Sequence, residues 1–112
     1  MRQLPFGLGL VEGFYGRQWR DEDRIACLRF IADAGYRYYL YAPKGDAVLR
    51  RRWSERWDAA DERRMRAIAG CCAEAGLAWG FGLSPLGLVE EPSPAKLQRL
   101  RDKVRYLESF GA

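Results

Sequence analysis

The sequence contains no histidine. That absence excludes a Ser-His-Asp triad, a histidine general base and a histidine metal ligand within the chain. Cysteine is scarce, with only Cys27, Cys71 and Cys72. An odd count with two adjacent members is no disulfide framework, and the spacing matches no zinc site. Three reduced thiols packed in helices are expected, with no metal and no cofactor. No apolar run approaches the roughly 18 residues of a membrane span. Residues Met1 to Pro5 lack the charged and apolar regions of a secretory signal. A cytoplasmic location is expected, with no membrane partner. Length is short too: 112 residues bury one core but fall well below the roughly 250 of a closed eight-stranded α/β barrel.

What is present describes a globular segment. Hydrophobic residues make up 48% and charged residues 30%, which excludes a disordered or collagen-like chain. Three short apolar or aromatic runs read as buried strands: Leu8 to Glu12, Tyr36 to Tyr41 and Ala78 to Leu83. Helical spacing fills the gaps. From Asp21 to Ala34 the apolar positions are Ile25, Leu28, Ile31 and Ala32, and Gly35 stops the helix. The second helix starts at the N-cap Asp58, buries Met65, Ile68, Ala69 and Cys72, and ends at Gly76. The third starts at Ser93-Pro94, and Leu97, Leu100, Val104 and Leu107 form its apolar face.

Strand and helix alternate three times, the pattern of a parallel sheet with right-handed crossovers. Ala34-Gly35-Tyr36 leads into strand two and Ala75-Gly76-Leu77 into strand three. Phe110-Gly111-Ala112 repeats that form, so the rhythm predicts a fourth strand after Ala112. Three parallel strands alone leave an unpaired apolar edge. The expected fold is therefore α/β: the first three βα units of a (β/α)8 TIM barrel, stopping before strand four.

In such folds function gathers where strands end. Glu12 is a candidate acid or base there, with a buried structural carboxylate as the preferred reading. Gly13 offers a backbone carbonyl to a ligand hydroxyl, or is a simple bend. Lys44 follows Pro43, which stiffens its loop and could aim the ammonium at a substrate oxygen; a solvated lysine is the alternative. Asp46 is a candidate partner for Lys44 or for the arginines Arg50, Arg51, Arg52 and Arg56. That basic run, with Trp53 and Trp57 interleaved, is read as a solvated loop face anchored by its tryptophans, and nucleic acid is not expected as a partner. Glu90 and Glu91 read as solvated loop. Gly7-Leu8-Gly9 precedes its strand, so it is no dinucleotide fingerprint.

Val11-Glu12-Gly13-Phe14-Tyr15-Gly16-Arg17-x-Trp19, Tyr39-Leu40-Tyr41-Ala42-Pro43-Lys44 and Ser84-Pro85, in that order and spacing, resemble the catalytic domain of glycoside hydrolase family 84. These are the β-N-acetylglucosaminidases that include protein O-GlcNAcases and bacterial enzymes often labelled hyaluronidases. The resemblance runs from about Leu8 to Gly111. It implies a (β/α)8 barrel that removes terminal N-acetylglucosamine with retention, the sugar's own acetamido oxygen attacking the anomeric carbon. It also implies two adjacent aspartates after strand four, one polarising the acetamido group and one serving as acid then base. No Asp-Asp pair exists in these 112 residues, so the expected pair lies beyond Ala112 and the segment is expected to be inactive alone. Gly13 matches the glycine whose carbonyl accepts from a sugar hydroxyl, and Lys44 the lysine that binds ring hydroxyls. Glu12 and Tyr15 would then shape the pocket floor. Gly45 replaces a usual aspartate, Leu86 interrupts a usual Ser-Pro-Gly, and Arg20 replaces a common capping serine, leaving Asp21 to cap. The expected partner is an N-acetylglucosamine-containing glycan or glycoprotein, with a second chain as a candidate source of the missing strands. The alternatives are a small basic module using Arg50 to Arg56 for an acidic partner, or a non-catalytic sugar-binding remnant.

Overall fold

The computed structural model describes residues 7–112. Its elements alternate as the sequence pattern predicts: β1 (Gly9–Glu12), α1 (Asp21–Asp33), β2 (Tyr38–Tyr41), α2 (Ala59–Ala75), β3 (Ala78–Phe81) and α3 (Pro94–Glu108). One turn of 3-10 helix, Ala47–Leu49, interrupts the long β2–α2 loop. The strands are parallel in the order β1-β2-β3. Each is four residues long, shorter than the apolar runs in the sequence, because the flanking residues turn into loops.

Register fixes the two faces of the sheet. Glu12 aligns with Tyr41, and Tyr41 with Phe81. By the two-residue period, Leu10, Glu12, Tyr39, Tyr41, Trp79 and Phe81 point to the helices. They meet Leu28 and Ile31 of α1 and Met65, Ile68 and Cys72 of α2, each large aliphatic stabilising by about 1.5–3 kcal/mol. The opposite face carries Gly9, Val11, Tyr38, Leu40, Ala78 and Gly80, which line an open apolar groove of about 320 Å3. Close approach at the strand ends needs glycine at 82: a Cβ there would lie 2.5 Å from that of Ala42.

Caps explain the helix starts. Asp58 accepts from the Asp61 N–H at 2.8 Å and Ser93 from the Lys96 N–H at 3.1 Å. Gly76 ends α2 in the left-handed region at φ +75°. Asp21 does not cap α1. Arg20 occupies the cap without a side-chain bond, and Asp21 instead pairs with Arg24 at 3.2 Å and Arg64 at 2.6 Å.

The apolar face expected of α3 is corrected as well. Lys103, Tyr106 and Leu107 are its buried residues. Leu97 and Val104 are 45% and 42% exposed, on a stripe roughly a quarter turn away. Tyr106 and Phe110 join Trp57 and Phe81 in an aromatic cluster with ring centres 5.3–6.4 Å apart. The free thiols Cys27, Cys71 and Cys72 lie on α1 and α2 as expected. Burial pushes the Cys72 thiol up to about 12. No helix among the described residues is long and apolar enough to cross a membrane.

Candidate functional site

The strand ends are knitted together by their loops. The Ala42 N–H donates to the Glu12 carbonyl at 3.0 Å, and the Lys44 N–H to the Phe14 carbonyl at 3.2 Å. The Gly82 N–H donates to Tyr41 O at 2.9 Å and the Ser84 N–H to Leu49 O at 2.7 Å. Sheet pairing therefore continues past the strands and sets Gly13 beside the segment that leads to Lys44. Gly13 follows Gly9 and Val11 in the two-residue period, so it belongs to the open face of the sheet. Among the described residues no N–H donates to its carbonyl. A Cβ at 13 would sit 3.3 Å from Val11 Cγ1, a contact tighter than packing normally allows.

Lys44 is half-buried. Its Nζ lies 5.9 Å from the centre of the Tyr15 ring and within ion-pair distance of no described carboxylate. Tyr15 is 77% exposed among the described residues. Gly45 lets two loops approach, because a Cβ there would be 3.3 Å from the Gly16 carbonyl.

Glu12 takes no part in the open rim. It is 0% exposed and Arg24 is 1% exposed. Arg24 Nε donates to Glu12 Oε1 at 2.8 Å and Nη2 to Oε2 at 2.7 Å, while the Tyr39 hydroxyl donates to Oε1 at 2.6 Å. Both oxygens are occupied on the helix side of the sheet, out of reach of a substrate proton. Burial alone would lower the Arg24 pKa, but the hydrogen bonds and charge of Glu12 hold it above its ordinary value. Burial, then the bond to Glu12, push Tyr39 up. The buried-carboxylate reading of Glu12 is correct, and its role as a pocket floor is not.

Asp46 is also reassigned. It pairs with neither Lys44 nor the arginines. Its carboxylate accepts from the Tyr41 hydroxyl at 2.7 Å, the Trp57 indole at 2.9 Å and the Val48 N–H at 3.1 Å. It thereby caps the 3-10 turn and ties both ends of the β2–α2 loop. Burial, then the charge of Asp46, raise the Tyr41 pKa. Trp53 and Trp57 are buried anchors, and the Trp53 indole donates to Leu86 O at 3.1 Å. The arginines do not converge: Arg52 pairs with Glu55 at 3.0 Å and Arg56 lies over the Tyr106 ring at 4.8 Å. Glu90 and Glu91 are exposed.

Arg24 and Lys103 escaped the sequence reading. Arg24 stands four residues before the buried Leu28, so its place on the apolar stripe of α1 was the available signal. A cleft of about 910 Å3 lies between α2 and α3, lined by none of the strand residues. Among the described residues no group of three or more Cys, Asp or Glu side chains is placed to hold a metal ion.

The family model described as beta-N-acetylglucosaminidase matches residues 8–112. The chain belongs to this family. It is 29% identical over 106 residues to the protein O-GlcNAcases of Rattus norvegicus and Mus musculus, covering 95% of this chain and 12% of each of theirs. A mutant of the Thermobaculum terrenum O-GlcNAc hydrolase superposes with a TM-score of 0.85 at 28% identity, over 94% of this chain and 23% of that one. The structure of CpGH84B does so with 0.87 at 29%, over 95% and 19%. The chain thus spans about an eighth to a quarter of these relatives' length. Its small α/β unit with a parallel sheet is like part of theirs.

Proposed function

We propose that residues 1–112 are the first three βα units of a (β/α)8 barrel domain in a retaining, substrate-assisted β-N-acetylglucosaminidase. The substrate class is terminal N-acetylglucosamine on a glycan or glycoprotein. Gly13 and Lys44 bind sugar hydroxyls, the glycine through its carbonyl and the lysine through its ammonium. The observation that carries this reading is their juxtaposition at adjacent strand ends: among the described residues no N–H donates to the Gly13 carbonyl and no carboxylate pairs with Lys44. The nucleophile is the substrate's own acetamide, an exception to the two-carboxylate scheme. The proton-transfer pair of aspartates comes from outside these 112 residues, on a further strand. Strands continuing the sheet beyond β3, in the same polypeptide or a second chain, supply it and cover the bare groove. The three unpaired thiols suit a reducing compartment, the cytoplasm.

A chimera tests this. Residues 8–112 replace the corresponding part of the Thermobaculum terrenum hydrolase, and hydrolysis of a chromogenic N-acetylglucosaminide is followed. Lys44→Ala should lower kcat/KM by about 10–100-fold, the value of one charge-assisted hydrogen bond. An unchanged kcat/KM overturns the assignment of Lys44. The 112-residue chain alone should show no turnover.

A further inference from the structure

Lys103 of α3 is 3% exposed, and lysine is almost never so buried without a partner. Its Nζ donates to the Glu55 carbonyl at 2.5 Å. The same atom lies 5.0 Å from the centre of the Trp57 ring and 5.4 Å from that of Tyr106. Among the described residues no carboxylate comes within ion-pair distance of it. The charged and titratable groups around it come from three elements. The β2–α2 loop offers Asp46, Glu55 and Arg56; Glu55 is paired with Arg52 and Arg56 lies over Tyr106. From α2 comes Glu62, which accepts from the Tyr106 hydroxyl at 2.6 Å, and α3 itself contributes Tyr106.

These contacts reach the sugar rim in two steps. Lys103 lies against the Trp57 ring, and the Trp57 indole donates to Asp46. Asp46 is two residues past Lys44, and its N–H bonds the Pro43 carbonyl at 3.0 Å. The Trp57 N–H also donates to the Tyr106 hydroxyl oxygen at 3.2 Å. The far end of the loop is therefore fastened to α3 at Glu55 and Trp57, and its near end follows through Asp46.

We propose that Lys103 is a positioning residue for the loop that carries Lys44, fastening the far end of that loop to α3. Burial lowers the Lys103 pKa to about 8, against the smaller opposing pull of Asp46 and Glu55. A solvated lysine has its ordinary value near 10.5. An amine that binds a proton less well inside than outside is easier to expose once charged. Stability of the folded chain should therefore rise as the pH goes from about 8 toward 10.5. The significance for sugar binding rests on the reading of Lys44 given above; the latch rests on its own contacts.

The chain has three lysines, Lys44, Lys96 and Lys103, so lysine-selective carbon labelling of these 112 residues gives three Cε signals. Lys103 should titrate with a midpoint near 8, and the Lys44 signal should show an inflection at the same pH. Lys103→Met should abolish that inflection, and the wild-type melting temperature should rise relative to this variant between pH 7 and 10. Lys103→Arg, which keeps the charge but does not titrate in this range, should abolish it too. A Lys103 midpoint at its ordinary value, or a Lys44 inflection that is absent from the wild type or persists in either variant, overturns the proposal. Should neither variant fold, the wild-type titration of the two lysines decides. No sugar is present, so this result and that of the chimera fail independently.

Discussion

At Glu12 one carboxylate meets both its partners inside the fold. The side chain was a candidate acid or base from its position at a strand end, yet Arg24 and Tyr39 occupy its two oxygens. Replacing it with glutamine leaves the Arg24 guanidinium buried without its counter-charge. Glu12→Gln should cost about 3–5 kcal/mol in urea unfolding, the range for breaking a buried ion pair. Against a typical total of about 5–15 kcal/mol, that leaves a marginal protein. Pairing it with Arg24→Met should recover part of the loss. A cost below about 1 kcal/mol would show that the pair is not the brace described here. Burial of Glu12 was legible, because an acidic residue closing an apolar strand has few places to go. Its partners were not, since they lie 12 and 27 residues along the chain and only the β1–β2 register brings them together.

Helices show the same division. Ser93-Pro94 marks the start of α3 through local chemistry, a hydroxyl for the Lys96 N–H and a proline that needs no donor. Ser93→Ala should therefore cost about 1 kcal/mol, read as a lower denaturation midpoint with an unchanged slope. The face that α3 buries was misread. Periodicity finds an apolar arc of which Leu107 is buried and Leu100 half-buried, but Leu97 and Val104 lie on the part of it that the described residues leave uncovered. Lys103 was counted as polar although its stem is apolar and its amine has a carbonyl and two rings to meet. Lysine substitution of Leu97 and Val104 together should change the stability of this chain by less than about 0.5 kcal/mol. A larger loss would mean that the stripe is packed in solution.

Across the whole molecule, the parallel sheet has helices on one side and an apolar groove on the other, and β1 and β3 are its edges among the described residues. Bare parallel sheets of this kind pair with other surfaces. The chain alone should bind an apolar dye and sediment above its monomer mass as concentration rises. A concentration-independent monomer without dye binding would contradict this. Four-residue strands that leave Val11 of β1 and Tyr38 of β2 exposed are stable only in company, which fits the proposed further strands.

The sequence by itself determined the alternation of strands and helices, the helix caps at Asp58 and Ser93, and the family, through two uncommon blocks at the first two strand ends. Those features depend on neighbouring residues, whose chemistry acts within a few positions. Tertiary structure alone decided which partner each charge meets: Arg24 for Glu12, Trp57 and Tyr41 for Asp46, a backbone carbonyl for Lys103. Such pairings depend on which strands lie side by side and which part of a helix is covered. A charge buried in low dielectric takes whatever partner the packing brings within reach.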